Sequence, residues 1–286
     1  MAWKGTPLTE DHCSLEYRIV GNDRVNTPRQ IEVHATPDEL ARFAREGYFV
    51  RPALLSPDHI QRLKQAMDEI AEQELAEGAV SLSESREFGG VFLRHLMDKH
   101  PAFLELLHFE PTLSVARAML GPQIQALPVT ARISYPTQKN QETKWHFHQR
   151  CIPDPMPPWF CRPHVIDCLL YLDEVNEANG QICVVPGSHE RIHEELPADQ
   201  HGSLPGEVAL SLPAGSCVMI HGALWHRATP TRPDGEVRRL IILPYAAAWI
   251  QLPTFGKRPT DGLTQSLRAD ADFETSELLG DAERIY

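Results

Sequence analysis

Apolar positions change their period once along the chain. Ile60, Leu63, Met67, Ile70 and Ala71 recur at three and four residues with Glu and Gln on the opposite side, the pattern of one buried helical face. Ser56-Pro57-Asp58 marks its start, and the pattern predicts a helix running to about Gly78. Upstream, Thr36-Pro37-Asp38-Glu39 combines a cap, a proline at the first helical position and a glutamate three residues past the cap, while Gly47 supplies the stop; this predicts a helix over 37–46 after an irregular leader. Shorter helical patterns follow at about 102–107 and 112–119, the second closed by Gly121-Pro122. From Gln123 the period shortens. Runs of apolar and β-branched residues between turn signals fall at about 125–135, 142–148, 163–172, 181–185, 207–212, 216–220 and 237–247.

These seven runs predict an antiparallel barrel or sandwich. The chain therefore reads as one domain, mainly β, with a helical supporting region over 37–120, a β core over 123–247 and an acidic extension over 261–286. The extension reads as a solvated helix or tail with Phe273, Leu278 and Leu279 as its apolar anchors. Five prolines between Pro153 and Pro163 predict a loop over the mouth of the β core, where Trp159 and Phe160 line a pocket.

Composition removes several function classes. The 286 residues carry 27 Lys and Arg against 39 Asp and Glu, a formal charge of -12 that repels phosphate backbones and acidic membrane surfaces. No stretch of 18 uncharged apolar residues occurs, and the N-terminal residues lack the apolar run of a signal peptide. Six cysteines without CxxC spacing fit a reducing cytoplasm. Neither a Gly-rich phosphate loop nor a G-x-S-x-G elbow is present.

The candidate chemistry sits at Trp145-His146-Phe147-His148-Gln149. On a strand, His146 and His148 leave one face about 6.5 Å apart at the backbone and can converge on one metal. An isolated pair of this kind is more often structural, so a third group must come from elsewhere. His226, after the run 216–220 and a turn, is the candidate. Arg238 and Arg239 are adjacent in an otherwise apolar run and so point to opposite faces; the one drawn inward needs an anionic partner. Arg132 and Tyr135 flank an early strand end, Gln149 and Arg150 flank the histidine pair, and His221 and Trp225 stand beside the distal histidine.

The element Trp145-His146-Phe147-His148 resembles the WHxD segment of the phytanoyl-CoA dioxygenase family of iron(II) and 2-oxoglutarate dependent oxygenases. Asn179-Gly180 followed by Val185-Pro186-Gly187-Ser188-His189 is similar to that family's NG and PGSH segments, and Glu46-Gly47-Tyr48-Phe49-Val50 and Leu54-Leu55-Ser56-Pro57 resemble its N-terminal region. The resemblance implies a double-stranded β-helix, a jelly-roll barrel of cupin type. It also implies Fe(II) held by His146, His148 and His226, and 2-oxoglutarate anchored by Arg238, with Arg132 and Tyr135 as further cosubstrate contacts. A small organic substrate would meet Gln149, Arg150, Trp159 and Phe160, and His221 and Trp225 would support the ligands. The implied reaction oxidises an unactivated C–H bond with dioxygen and releases succinate and carbon dioxide.

The departure from the family is His148, which stands where the family places a metal-binding aspartate. With three neutral imidazoles Fe(II) keeps two net positive charges instead of one. Imidazole also fills the position at which halogenating members hold chloride. Glu142, Asp154 and Asp167 are the carboxylates placed to substitute, and His148 itself is preferred as the ligand. Two other readings stay open: a three-histidine dioxygenase that uses no 2-oxoglutarate, and a catalytically silent metal or small-molecule binding protein.

Overall fold

The computed structural model describes residues 13–19, 27–82, 90–136, 142–149, 162–192, 194–196, 198–250 and 260–282. The chain begins with an antiparallel ribbon, β1 (Cys13–Ile19) and β2 (Thr27–Val33), where the sequence predicts an irregular leader. Helix α1 (Pro37–Glu46) starts on the capping box foreseen: the Thr36 hydroxyl accepts from the Glu39 amide, and the Glu39 carboxylate accepts from the Thr36 amide. Gly47 closes it in the left-handed region at φ 80°. Strand β3 (Tyr48–Arg51) follows, then α2 (Pro57–Glu77), capped by Ser56 and stopped by Gly78. Leu63, Met67, Ile70 and Ala71 form its buried face.

Strand β4 (Val91–Leu93), the short α3 (Leu96–Lys99), a 3-10 turn over Pro101–Leu106 and α4 (Glu110–Leu120) complete the first part. The β region then runs β5 (Ile124–Ala126), β6 (Thr130–Ser134), β7 (Thr143–His146), β8 (Val165–Tyr171), β9 (Ile182–Val184), β10 (Val208–Leu210), β11 (Ser216–His221), β12 (His226–Ala228) and β13 (Arg238–Ala247).

These strands form two sheets. One has seven strands in the order β3-β11-β8-β13-β6-β4, with β5 also on β13; the other has four, β10-β9-β12-β7. The barrel expected from the sequence and from the resemblance is corrected here. The fold is a mixed α and β arrangement with two sheets, neither closed into a barrel nor strongly curled. Among the described residues the end strands β3 and β4 of the large sheet pair with nothing in the small one. Closure needs a hydrogen-bonded last pair, which is missing there. Two large-sheet strands, β3 and β4, come from the stretch read as helical.

Alternation along β8, β11 and β13 divides the interior. Ile166, Cys168, Leu170, Cys217, Met219, Ile241 and Leu243 pack against the helices. Leu169, Tyr171, Val218, Ile220, Leu240 and Ile242 face the small sheet and meet Ile182, Val184 and Leu224. At the C-terminal end, α5 (Leu263–Ala269) and α6 (Phe273–Leu278) are docked more firmly than a solvated tail. Leu278 and Leu279 are buried, and Arg117 pairs with Glu274 at 2.7 Å and Glu277 at 3.3 Å. Phe273, an expected anchor, is exposed. Among the described residues no helix is long and apolar enough to cross a membrane.

Candidate metal centre

Two adjacent strands of the small sheet bring the histidines together. His146 ends β7 and His226 begins β12, and the two are direct cross-strand partners, so their rings come within 4.2 Å between centroids. His148 lies past the end of β7. Its backbone amide and that of Gln149 both donate to the Gly222 carbonyl, at 2.7 and 3.0 Å, which ties the segment to the turn between β11 and β12. The His148 ring then stands 5.3 Å from that of His146 and 4.9 Å from that of His226. One ring nitrogen from each histidine lies within 4.8 Å of the others.

The hydrogen bonds decide which nitrogens converge. Nδ1 of His146 contacts the Lys144 carbonyl at 2.8 Å, and Nδ1 of His226 contacts the Leu224 carbonyl at 2.9 Å. Nδ1 of His148 contacts the Asp167 carboxylate at 2.6 Å. Carbonyl and carboxylate oxygens only accept, so each Nδ1 carries a hydrogen, and in the neutral ring the lone pair sits on Nε2. Burial, followed by the neighbouring imidazoles, pushes His226 well below the ordinary histidine range, which keeps it neutral and able to ligate. Three oriented imidazoles suit a first-row divalent ion such as iron. Oriented outer partners of this kind are what metal-binding histidines require. The residues present therefore fit the metal.

The two arginines separate as their adjacency predicts. Arg239 faces the helices and pairs with Asp68 at 2.9 Å and Asp173 at 3.2 Å. Arg238 faces the small sheet and is 4% exposed. It donates to the carbonyls of Gly180 at 2.5 Å and Thr229 at 3.4 Å and to the Ser134 hydroxyl at 3.3 Å, and no carboxylate pairs with it among the described residues. Desolvation lowers its pKa, with the nearby Tyr171 phenol acting the other way. Burial pushes that phenol up to about 12. Gly180, at φ 89°, is required for this approach: a Cβ there would collide with Arg238 Nη1 and lie 2.6 Å from the Thr229 carbonyl.

The other candidates are distributed differently. Arg132 pairs with Leu240 across β6 and β13 and lies over the Phe92 ring at 5.6 Å. Tyr135 packs with the helix-side core, near Asp68 and Arg239 and away from Arg238. His221 faces the helices, its ring 4.9 Å from that of His189 and 6.2 Å from that of Phe43. Trp225 packs with Trp145, Cys183 and Val185 on the outer side of the small sheet, under Arg191. Gln149 is buried, and its side-chain amide has no partner among the described residues. Arg150, Trp159, Phe160 and Asp154 lie outside the described residues. Glu142 is buried beside His201, at 3.4 Å. Ser134 and Tyr171 beside Arg238 were not foreseen, because the partner strands of β13 cannot be read from its own alternation.

The chain is similar to the ectoine dioxygenase of Bordetella parapertussis, 25% identical over 172 residues that make up 57% of this chain and 54% of that protein. The chain thus spans about half the length of that relative. Its fold is similar to EctD from S. alaskensis, solved with bound Fe, at a TM-score of 0.61 and 19% identity over 87% of this chain and 90% of that one. It is also similar to HygX from Streptomyces hygroscopicus, solved with nickel and 2-oxoglutarate, at a TM-score of 0.59 and 16% identity over 82% and 93%. The family model for phytanoyl-CoA dioxygenase (PhyH) matches residues 43–240. The chain belongs to the phytanoyl-CoA dioxygenase family, with a metal site of three histidines in place of two histidines and an aspartate.

Proposed function

We propose that this protein is an Fe(II) and 2-oxoglutarate dependent oxygenase that hydroxylates or otherwise oxidises a C–H bond of a small organic molecule. The observation that carries the proposal is the convergence of His146, His148 and His226, with every Nδ1 bonded to an oxygen. These three residues hold the iron. When bound, iron and 2-oxoglutarate supply the oxidising chemistry, with release of succinate and carbon dioxide.

The chain's own part is binding, orientation and exclusion of water. Arg238 holds the far carboxylate of 2-oxoglutarate, assisted by the Ser134 hydroxyl, because a buried guanidinium without a carboxylate partner is a ready site for one. Thr229, whose carbonyl Arg238 contacts, lies three residues along the chain from His226, which sets the guanidinium and the histidines along one edge of the same strand. Leu169, Val218, Ile220 and Leu224 keep the space between the sheets dry, which strengthens the ion pair formed there. That EctD was solved with bound Fe and HygX with nickel and 2-oxoglutarate supports the choice of cofactors. Gln149, Arg150, Trp159 and Phe160 are the proposed substrate contacts.

The test is succinate formation by anaerobically iron-loaded protein given 2-oxoglutarate and then air, across a panel of small metabolites. Iron-dependent succinate supports the proposal. Substrate oxidation that proceeds without 2-oxoglutarate, or no turnover by protein that retains iron, refutes it.

A further inference from the structure

The three histidines are not held alike. His146 and His226 each donate Nδ1–H to a neutral carbonyl two residues earlier in their own segment, Lys144 and Leu224. His148 instead donates to a charged group 19 residues away, Asp167 on β8, at 2.6 Å. Asp167 is 3% exposed in a strand whose neighbours Ile166, Cys168, Leu169 and Leu170 are buried and apolar. A buried carboxylate is costly without a partner, and His148 is the one polar partner it has among the described residues.

We infer that Asp167 returns, from one imidazole ring further out, the negative charge that His148 removes from the metal's ligand set, and that it fixes the His148 ring for ligation. The inference rests on the metal reading above. Its electrostatic side follows from counting charges: three imidazoles leave a divalent ion with two positive charges, and a carboxylate bonded to one of them brings the whole site back to one, the value for two histidines and an aspartate. A charged acceptor also makes the ligating nitrogen a stronger donor than a carbonyl does. Its positional side follows from where His148 lies. The residue is beyond the end of β7, so strand pairing does not set its ring, and the Gly222 carbonyl holds only its backbone. Asp167 is thus a positioning residue that bridges the large sheet to the metal centre.

Anaerobic Co(II) titration of the full chain, followed by ligand-field absorption and calorimetry, tests this in four proteins: wild type, D167N, H148D and H148D/D167N. D167N keeps shape and removes charge, and is expected to weaken Co(II) binding ~10- to 100-fold and to alter the ligand-field bands. In the H148D background the effect should shrink. There the ligand set already holds a carboxylate and no imidazole remains for Asp167 to orient, so H148D/D167N is expected to bind Co(II) nearly as tightly as H148D. A merely structural pair would make D167N act alike in both backgrounds, and that result overturns the inference, as does D167N binding no more weakly than wild type. Should D167N not fold alone, D167E, which keeps the charge but displaces the bond to His148, takes its place in both backgrounds: it is expected to weaken Co(II) binding with His148 present and not in H148D, and an equal loss in both overturns the inference. Wild-type protein that binds no Co(II) overturns the metal reading as well, whereas tight wild-type binding with an unaffected D167N overturns this inference alone.

Discussion

Arg238 and Arg239 are neighbours in sequence with opposite surroundings, so changing each to methionine separates cosubstrate binding from stability. Methionine keeps the length and apolar bulk of the side chain and removes the charge. At position 238, burial of a guanidinium with no carboxylate beside it costs the ligand-free protein several kcal/mol, and its hydrogen bonds to Gly180, Thr229 and Ser134 offset part of that. Losing those bonds leaves acceptors unpaired at about 1–3 kcal/mol, so the two effects oppose each other and ligand-free R238M is expected to melt close to wild type. Binding is a different matter. Removing one partner of a buried charge pair costs roughly 2–5 kcal/mol, or ~30- to 5000-fold in the Kd for 2-oxoglutarate.

R239M breaks the pairs with Asp68 and Asp173, which are partly exposed, and should cost roughly 1–2 kcal/mol of stability with 2-oxoglutarate binding intact. The assay is thermal unfolding of anaerobic Co(II)-loaded protein with and without 2-oxoglutarate, supported by calorimetric titration. At a hundredfold excess over Kd the ligand adds about 2.7 kcal/mol, a shift of roughly 5 °C for a chain of this size. Wild type and R239M should show the shift and R238M should not. A shift retained in R238M, or lost in R239M alone, would refute the assignment of the two faces.

Two further outcomes follow from the same geometry. Gly180→Ala forces an L-residue into the left-handed region and into the Arg238 guanidinium, so 2-oxoglutarate titration should show weaker binding than wild type with metal affinity retained; unchanged affinity would contradict the role of the close approach. The second concerns pH. Since burial depresses the folded-state pKa of His226, the unfolded chain binds more protons below about 6.5, so chelated protein should lose stability as pH falls from there towards the folded value. His59, His108, His164 and His189 are shifted the same way, chiefly by burial, so denaturant melts of His226→Gln should show a shallower decline, not a flat one; an identical slope in variant and wild type would contradict the assignment.

What the amino acids disclosed and what they concealed divide along local and long-range physics. The α1 capping box, the left-handed stops at Gly47 and Gly78 and the buried face of α2 are set by residues within one or two turns of each other, and each was readable. The opposed faces of Arg238 and Arg239 follow from strand alternation alone. Closure of the sheets was not readable, because it depends on which edge strands pair, and the alternation of β11 or β13 is the same in an open sheet as in a barrel. Strands β3 and β4 were missed for a related reason: each is short, and each is made a strand by a distant partner, β11 for one and β6 for the other. Asp167 was visible only as a candidate ligand. Its contact with His148 joins β8 to the segment after β7, and no spacing rule predicts that pairing.

The measurement closest to the heart of the account is X-ray absorption of anaerobically Fe(II)-loaded protein, in which multiple scattering from ring atoms counts imidazole ligands. One iron per chain with three imidazoles, falling to two in His148→Ala, is the predicted result. Two imidazoles in the wild type, or scattering unchanged by loss of His148, would contradict it.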